Sequence, residues 1–287
     1  MNQLNLKRWL CAGALCLAGT GLIWAGNAED SFQEKKFDAL SSTEMSDLGA
    51  TALGIQRPKW KHGETEHFII HFFHNGEKIA RRSEVFYTEI KEFFGNRPDL
   101  FAGRKSQVFA FNDGNDWKRF TGKINQEWAG GVTRGDEFFY LAASEEGRFD
   151  SKGKTQAHEM THLIFNRFYR RRPPLWLNEG IAEYFGQRKT STLTQFRQQM
   201  SLTHPYELNW LFKAEQYPEQ LKQIYMFYAE AAIVVDFLTR TSEQAAKLPK
   251  FADAMIATND VAAALQIYGY KDLMEFETAY KKYRRHF

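Results

Sequence analysis

The chain has 287 residues, a length for one or two domains with a buried core. Hydrophobic residues at 43% and charged residues at 25% exclude a disordered or fibrous polymer, and aromatics at 15% predict a ring-rich interior. A formal net charge of +3 gives no footing for a nucleic-acid partner, which requires a concentrated basic face.

Lys7 and Arg8 precede an uncharged apolar run, Trp9 to Gly26, and the small residues Gly26 and Ala28 close it. This is the layout of a secretory signal peptide. Residues 1–28 are therefore assigned to a signal peptide cleaved before Glu29, and the rest of the chain to the periplasm or the exterior. The alternative is an uncleaved anchor helix, the run being nearly long enough to span a bilayer, and only then is a membrane a partner. Cys11 and Cys16, the only cysteines, lie in this segment and each follows a leucine, which speaks against a lipoprotein. After cleavage no thiol remains, so any metal must be held by histidine and carboxylate. Loss of Lys7 and Arg8 with no acid takes Lys+Arg from 38 to 36 against 35 Asp+Glu, a net charge of +1. The basic cluster Arg167, Arg170, Arg171, Arg172 and the tail Lys281, Lys282, Arg284, Arg285 read as solvated surface.

Residues 29–57 are polar, with "SSTEMSD" and "LGATALG", and read as a mostly disordered linker with at most a short helical turn. Order is expected from about residue 58. "EHFIIHFFH", Glu66 to His74, reads as a strand that places His67 and His71 on one exposed face and His74 on the other. Gly76 to Gly95 has helical apolar spacing, with Gly95 as its stop. Ser106 to Asp113 reads as the next strand and Asp116 to Thr121 as a short helix, followed by a hairpin or broken strand over Ala129 to Ala143. A helix from about Thr155 to Tyr169 must end before Pro173-Pro174. "LWLNEGIAEYFGQR" reads as a second helix, and the pattern after about Thr192 is mainly helical.

The chemistry centres on "AHEMTHLIF", Ala157 to Phe165. On a helix His158 and His162 are one turn apart, about 5–6 Å between Cβ atoms, so both imidazoles reach one metal. Glu159 leans to the side of that face, where it touches a water on the metal without ligating the metal. Zinc lowers the pKa of such a water toward ~7. A glutamate there takes the proton as the water attacks and passes it to the leaving amine. A catalytic zinc needs a third protein ligand. Glu179, 17 positions after His162 across the Pro-Pro turn, is the candidate. Glu183, one turn further on the same face, is either an acceptor for a ligating imidazole N–H or a plain helix carboxylate.

"HEMTH" followed by "WLNEGIAEY" resembles the gluzincin metallopeptidases, the superfamily of thermolysin-like enzymes and zinc aminopeptidases. "WLNEG" is similar to the aminopeptidase branch, and the chain as a whole to small bacterial members. The resemblance implies one zinc ion held by His158, His162 and Glu179, with Glu159 as general base. Aminopeptidases carry a Gly-Ala-Met-Glu-Asn strand before the zinc helix, whose glutamate holds the substrate's free amine. Here that place reads "WAGGVT", and the acidic anchor is missing unless Glu127 substitutes. Gly130, Gly131 and Val132 then form a strand on which a substrate backbone pairs. The superfamily's oxyanion donor, a Tyr or His after the third ligand, points to Tyr228, with Tyr225 and His204 as alternatives.

The expected fold is α+β: a small mixed sheet with helices leading into the zincin motif helix (residues 58–190), then a helical C-terminal subdomain (191–287). The expected function is an exported zinc metallopeptidase acting on a peptide or protein substrate, endopeptidase in preference to aminopeptidase. The alternative is a catalytically silent, metal-binding relative serving as a binding or structural module.

Overall fold

The computed structural model describes residues 32–124, 126, 129–142, 153–188 and 207–285. The expected signal peptide, Glu127 and His204 lie outside the described residues. Among the described residues no helix is long and apolar enough to cross a membrane.

The architecture is mixed α+β, built on a six-stranded sheet ordered β1-β2-β3-β4-β6-β5. The strands are β1 (Gln33–Lys35), β2 (Lys61–Glu64), β3 (Phe68–Phe72), β4 (Ser106–Phe111), β5 (Gly131–Arg134) and β6 (Glu137–Leu141). β3, β4 and β6 run parallel, with Ile70 opposite Val108 and Val108 opposite Phe138. These central strands are fully or almost fully buried, as a sheet covered on both faces requires. β5 returns antiparallel along β6 and forms one edge. The turn between them uses Gly135 at φ 59°, a left-handed backbone that suits glycine.

One sheet face carries α2 (Gly76–Phe94) and α4 (Lys154–Phe168), whose Ile79, Ile90, Met160 and Ile164 pack on Phe68, Ile70 and Phe138. Gln156 ties the two helices, donating to Ile79 O (2.8 Å) and Ser83 Oγ (2.9 Å). The opposite face carries α1 (Asp47–Gly54) and α3 (Gly114–Thr121) over a second core of Phe109, Phe111, Phe120 and Phe139. α5 (Leu175–Arg188) follows Pro173-Pro174 and packs on α4 and on the helix Leu221–Leu238. A Cβ on Gly180 would lie 2.6 Å from Ala231 O. The glycine's helix-propensity cost of ~1 kcal/mol is thus exchanged for a close helix–helix approach. The helices Leu208–Lys213, Ser242–Thr258, Val261–Leu265 and Leu273–Arg284 complete the C-terminal part.

Three expectations need correction. Residues 32–57, read as a disordered linker, contain β1 and α1. Ser46 caps α1 by accepting from Gly49 N, and Ser46 N donates to Glu137 Oε1 (2.7 Å). Ala52 and Ile55 of this stretch are buried in the second core. A polar segment is ordered here because the sheet supplies partners that composition does not reveal. The histidines of Glu66–His74 do not share an exposed face. The strand starts only at Phe68, so the two-residue alternation does not extend back to His67. His67 lies over Tyr87 of α2 and pairs with Glu84 at 2.7 Å. His71 is fully buried on the other face, stacked on Phe109, with Nε2 3.0 Å from Gln107 and Nδ1 2.8 Å from His62 Nδ1. Arg167, grouped with solvated charges, is buried and bonds Asp99 at 2.6 Å and Ser106 at 2.7 Å, while Arg170, Arg171 and Arg172 are exposed.

Candidate metal centre

The motif lies within α4, whose apolar residues fix its rotation against the sheet, so His158, Glu159 and His162 face α5 and β5. The Pro-Pro turn reverses the chain, and Trp176, Leu177 and Ile181 bury one face of α5, bringing Glu179 back to the histidines. His158 Nε2 and His162 Nε2 lie 3.1 Å apart. Glu179 Oε2 is 3.3 Å from the first and 3.4 Å from the second. Among the described residues this is the one group of three histidine or acidic side chains whose donor atoms converge, all within 4.8 Å of one another.

The outer atoms of these side chains are held as well. His158 Nδ1 faces Glu183 Oε1 at 3.2 Å, and Glu183 Oε2 pairs with Lys154 at 3.3 Å. His162 Nδ1 is 3.2 Å from Asn178 Oδ1. Both partners accept only, so both Nδ1 atoms donate, which leaves the Nε2 lone pairs aimed at the common point. Asn178 also donates from Nδ2 to Glu179 Oε1 (3.2 Å), and Tyr217 donates to the same oxygen at 2.7 Å. Glu179 Oε2 is buried with no hydrogen-bond partner. An orphaned carboxylate oxygen and two imidazole lone pairs on one point repel each other unless a cation sits among them. Two nitrogens and one oxygen at this spacing suit a divalent transition ion such as zinc. A proton answers part of the same demand. Burial pulls His158 down, but the carboxylates of Glu179 and Glu183 outweigh it and push His158 up to about 10. Burial raises Glu179, yet His162 and His158 hold it well below the usual carboxylate range.

Glu159 stands beside the triad, and Thr133 Oγ1 of β5 donates to its Oε2 at 2.6 Å. Gly131 leaves room for the same carboxylate, since a Cβ there would come within 2.4 Å of Glu159 Oε1. Gly131 was expected to serve substrate pairing. Its close contact is with Glu159, whereas Gly130 has only Thr155 nearby, at 3.7 Å from its would-be Cβ. No described strand pairs with the outer edge of β5, which keeps Val132 and its neighbours on the rim of the cleft.

That cleft has a volume of about 450 Å³ and is lined by β5, α4, α5 and the loop and helix carrying Glu215, Tyr217 and Tyr228. The Tyr228 ring lies 6.0 Å from that of His158 and stacks on Tyr217 at 5.8 Å and 9°. Burial, then the charge of Glu179, raises both phenols, so both are protonated donors at neutral pH. Tyr225, the alternative on the same helix, is 60% exposed and does not line the cleft.

Sequence reasoning assigned no role to Thr133, Asn178 or Tyr217. Asn178 stands inside "WLNEG" beside Glu179, so its place was visible and its partner was not. Tyr217 lies 38 positions beyond Glu179 in a loop with no motif around it. No family model matches this chain, and no curated protein matches it.

Proposed function

We propose that this chain is an exported zinc-dependent metallopeptidase, related to the gluzincins, that hydrolyses internal peptide bonds. The observation that carries the reading is the convergence of His158 Nε2, His162 Nε2 and the partnerless Glu179 Oε2, with Glu159 beside them rather than among them. A purely structural metal site has no use for a fourth, separately anchored carboxylate. When bound, zinc supplies Lewis-acid polarisation and makes water acidic enough to lose a proton near neutrality.

The remaining work falls to the protein's own groups. Glu159, fixed by Thr133, takes the proton of the attacking water and delivers it to the leaving nitrogen. Tyr228 lies over His158 as a protonated phenol and donates a hydrogen bond to the oxyanion of the tetrahedral intermediate. The free edge of β5 pairs with the backbone of an extended peptide and holds it across the cleft. The described residues of β5 carry no acid to seize a free amino terminus, so an internal bond is the preferred substrate. The finer fold reading, a zincin-type half and a helical half meeting at the metal, belongs to the same proposal.

The test is metal analysis together with digestion of a broad peptide library, with Glu159→Gln as control. One zinc per chain and internal cleavages that vanish in the control support the proposal. Zinc without Glu159-dependent cleavage replaces it with a metal-binding module, and cleavage confined to the first residue replaces endopeptidase with aminopeptidase.

A further inference from the structure

We infer that Tyr217 is a positioning residue that holds Glu179 so that a single carboxylate oxygen faces His158 and His162. This inference rests on the zinc reading above. Two donors converge on Glu179 Oε1, Tyr217 at 2.7 Å and Asn178 at 3.2 Å, while Oε2 receives none. The carboxylate is 1% exposed, so no bulk water is at hand to replace either donor. A carboxylate pinned in this way cannot turn both oxygens to one ion, and a coordination position stays open for water or substrate.

Tyr217 differs from Asn178 in where it comes from. Asn178 adjoins Glu179 on α5, and its amide oxygen is already committed to His162. Tyr217 reaches in from the C-terminal part, ahead of the helix that carries Tyr228. Its ring stacks on that of Tyr228, 5.8 Å away at 9°. One phenol therefore links the ligand's orientation to the placement of the proposed oxyanion donor. Its own hydroxyl points at the ligand oxygen and not at the convergence point, which makes it a positioning group and not a metal ligand.

The experiment uses the full chain and the Tyr217→Phe variant, with zinc affinity measured by chelator competition and Co2+ used as a spectroscopic probe. The variant is expected to bind zinc about 10- to 100-fold more weakly. Its Co2+ complex is expected to show weaker visible absorption, because a released Oε1 raises the coordination number. Replacing Tyr217 by p-aminophenylalanine keeps the ring and an N–H donor at the para position, and this variant is expected to bind zinc within a few-fold of the unsubstituted chain. It tests the same point should the Phe variant fail to fold, and a loss as large as tenfold in the amino variant overturns the inference. Unchanged affinity in Tyr217→Phe overturns it, and so does weaker binding with an unaltered Co2+ spectrum, which is what lost packing alone produces. An unsubstituted chain that takes up no zinc overturns the zinc reading itself, whereas normal uptake with an indifferent Tyr217 removes only this role.

Discussion

Gly131 and Glu159 are so close that a Cβ on the glycine would sit 2.4 Å from the glutamate's Oε1. The edge strand and the motif helix thus meet at the proposed base, and the strand sets where that carboxylate lies. Gly131→Ala is expected to push Glu159 aside and lower turnover by about 100-fold, within the range that general-base catalysis contributes. Zinc content should stay at one per chain, because the atoms nearest such a Cβ belong to Glu159 and not to the triad. Loss of zinc together with activity would show that the strand supports the triad as well.

Glu159→Gln should remove the proton acceptor while keeping shape and hydrogen bonding. Turnover is expected to fall by about 10²- to 10⁴-fold with zinc affinity little altered. Thr133→Val, which removes the hydroxyl that lies 2.6 Å from Glu159 Oε2 and 3.2 Å from the backbone oxygen of Glu159, should give a smaller loss with the same sign. Steady-state kinetics on one cleaved peptide, with metal analysis of each variant, checks both.

Tyr228→Phe should lower kcat by about 10²- to 10³-fold with little change in KM, since its hydrogen bond is directed at charge that forms only in the transition state. Tyr225→Phe should leave turnover intact, as that ring is exposed outside the cleft. If Tyr228→Phe turns over normally, the tyrosine serves only as packing for Tyr217 and His158.

Glu183→Gln and Asn178→Ala change the groups that hold the Nδ1 atoms of His158 and His162, and Asn178→Ala also removes a donor to Glu179 Oε1. Each should weaken zinc binding about 10- to 100-fold. At saturating zinc most activity should return, which separates them from Glu159→Gln. Chelator competition followed by assay in excess zinc gives both readings.

Acid should unfold this protein through His71, far from the candidate centre. Burial is the main cause that lowers its pKa from the ordinary 6.5 to about 3, with Gln107 opposing and His62 adding to the shift. Between those two values the unfolded chain holds a proton that the folded chain does not. The contribution of His71 is therefore complete above pH 6.5 and falls by roughly 1.4 kcal/mol per pH unit as acid is added, until folded His71 itself protonates. Glu64, held near 2 by Ser41, Lys35 and Lys105 against the effect of burial, extends the loss below pH 4.5. Thermal melts across this range should show the slope, and His71→Leu, less stable at neutral pH, should flatten its upper part. An unchanged slope in that variant would place the acid sensitivity elsewhere.

Elements whose signal is local were legible before any coordinates. The spacing of Ile79, Phe86 and Ile90, with Gly95 at the end, located α2, and Pro173-Pro174 located the break between α4 and α5. His158, Glu159, His162 and Glu179 were singled out as candidates by spacing on two helices and a turn, and three of them, His158, His162 and Glu179, converge in the fold. The order of 32–57 was not legible, because that segment is held by cross-chain bonds such as Ser46 to Glu137, 91 positions apart. His71 was misplaced because one polar residue in an apolar strand looks like the exposed phase of an alternation until both sheet faces are seen to be covered.

The sequence by itself determined the candidate reagents: the side chains that converge as a possible metal triad, and the carboxylate proposed as base. A one-turn spacing on a helix is enough to put His158 and His162 on one face, since helix geometry is local. Only the tertiary structure decided how those reagents are held. The roles of Thr133, Gly131, Asn178 and Tyr217 come from the packing of β5 on α4 and from a loop returning to Glu179. Such contacts join residues with no fixed relation along the chain, so no spacing rule encodes them.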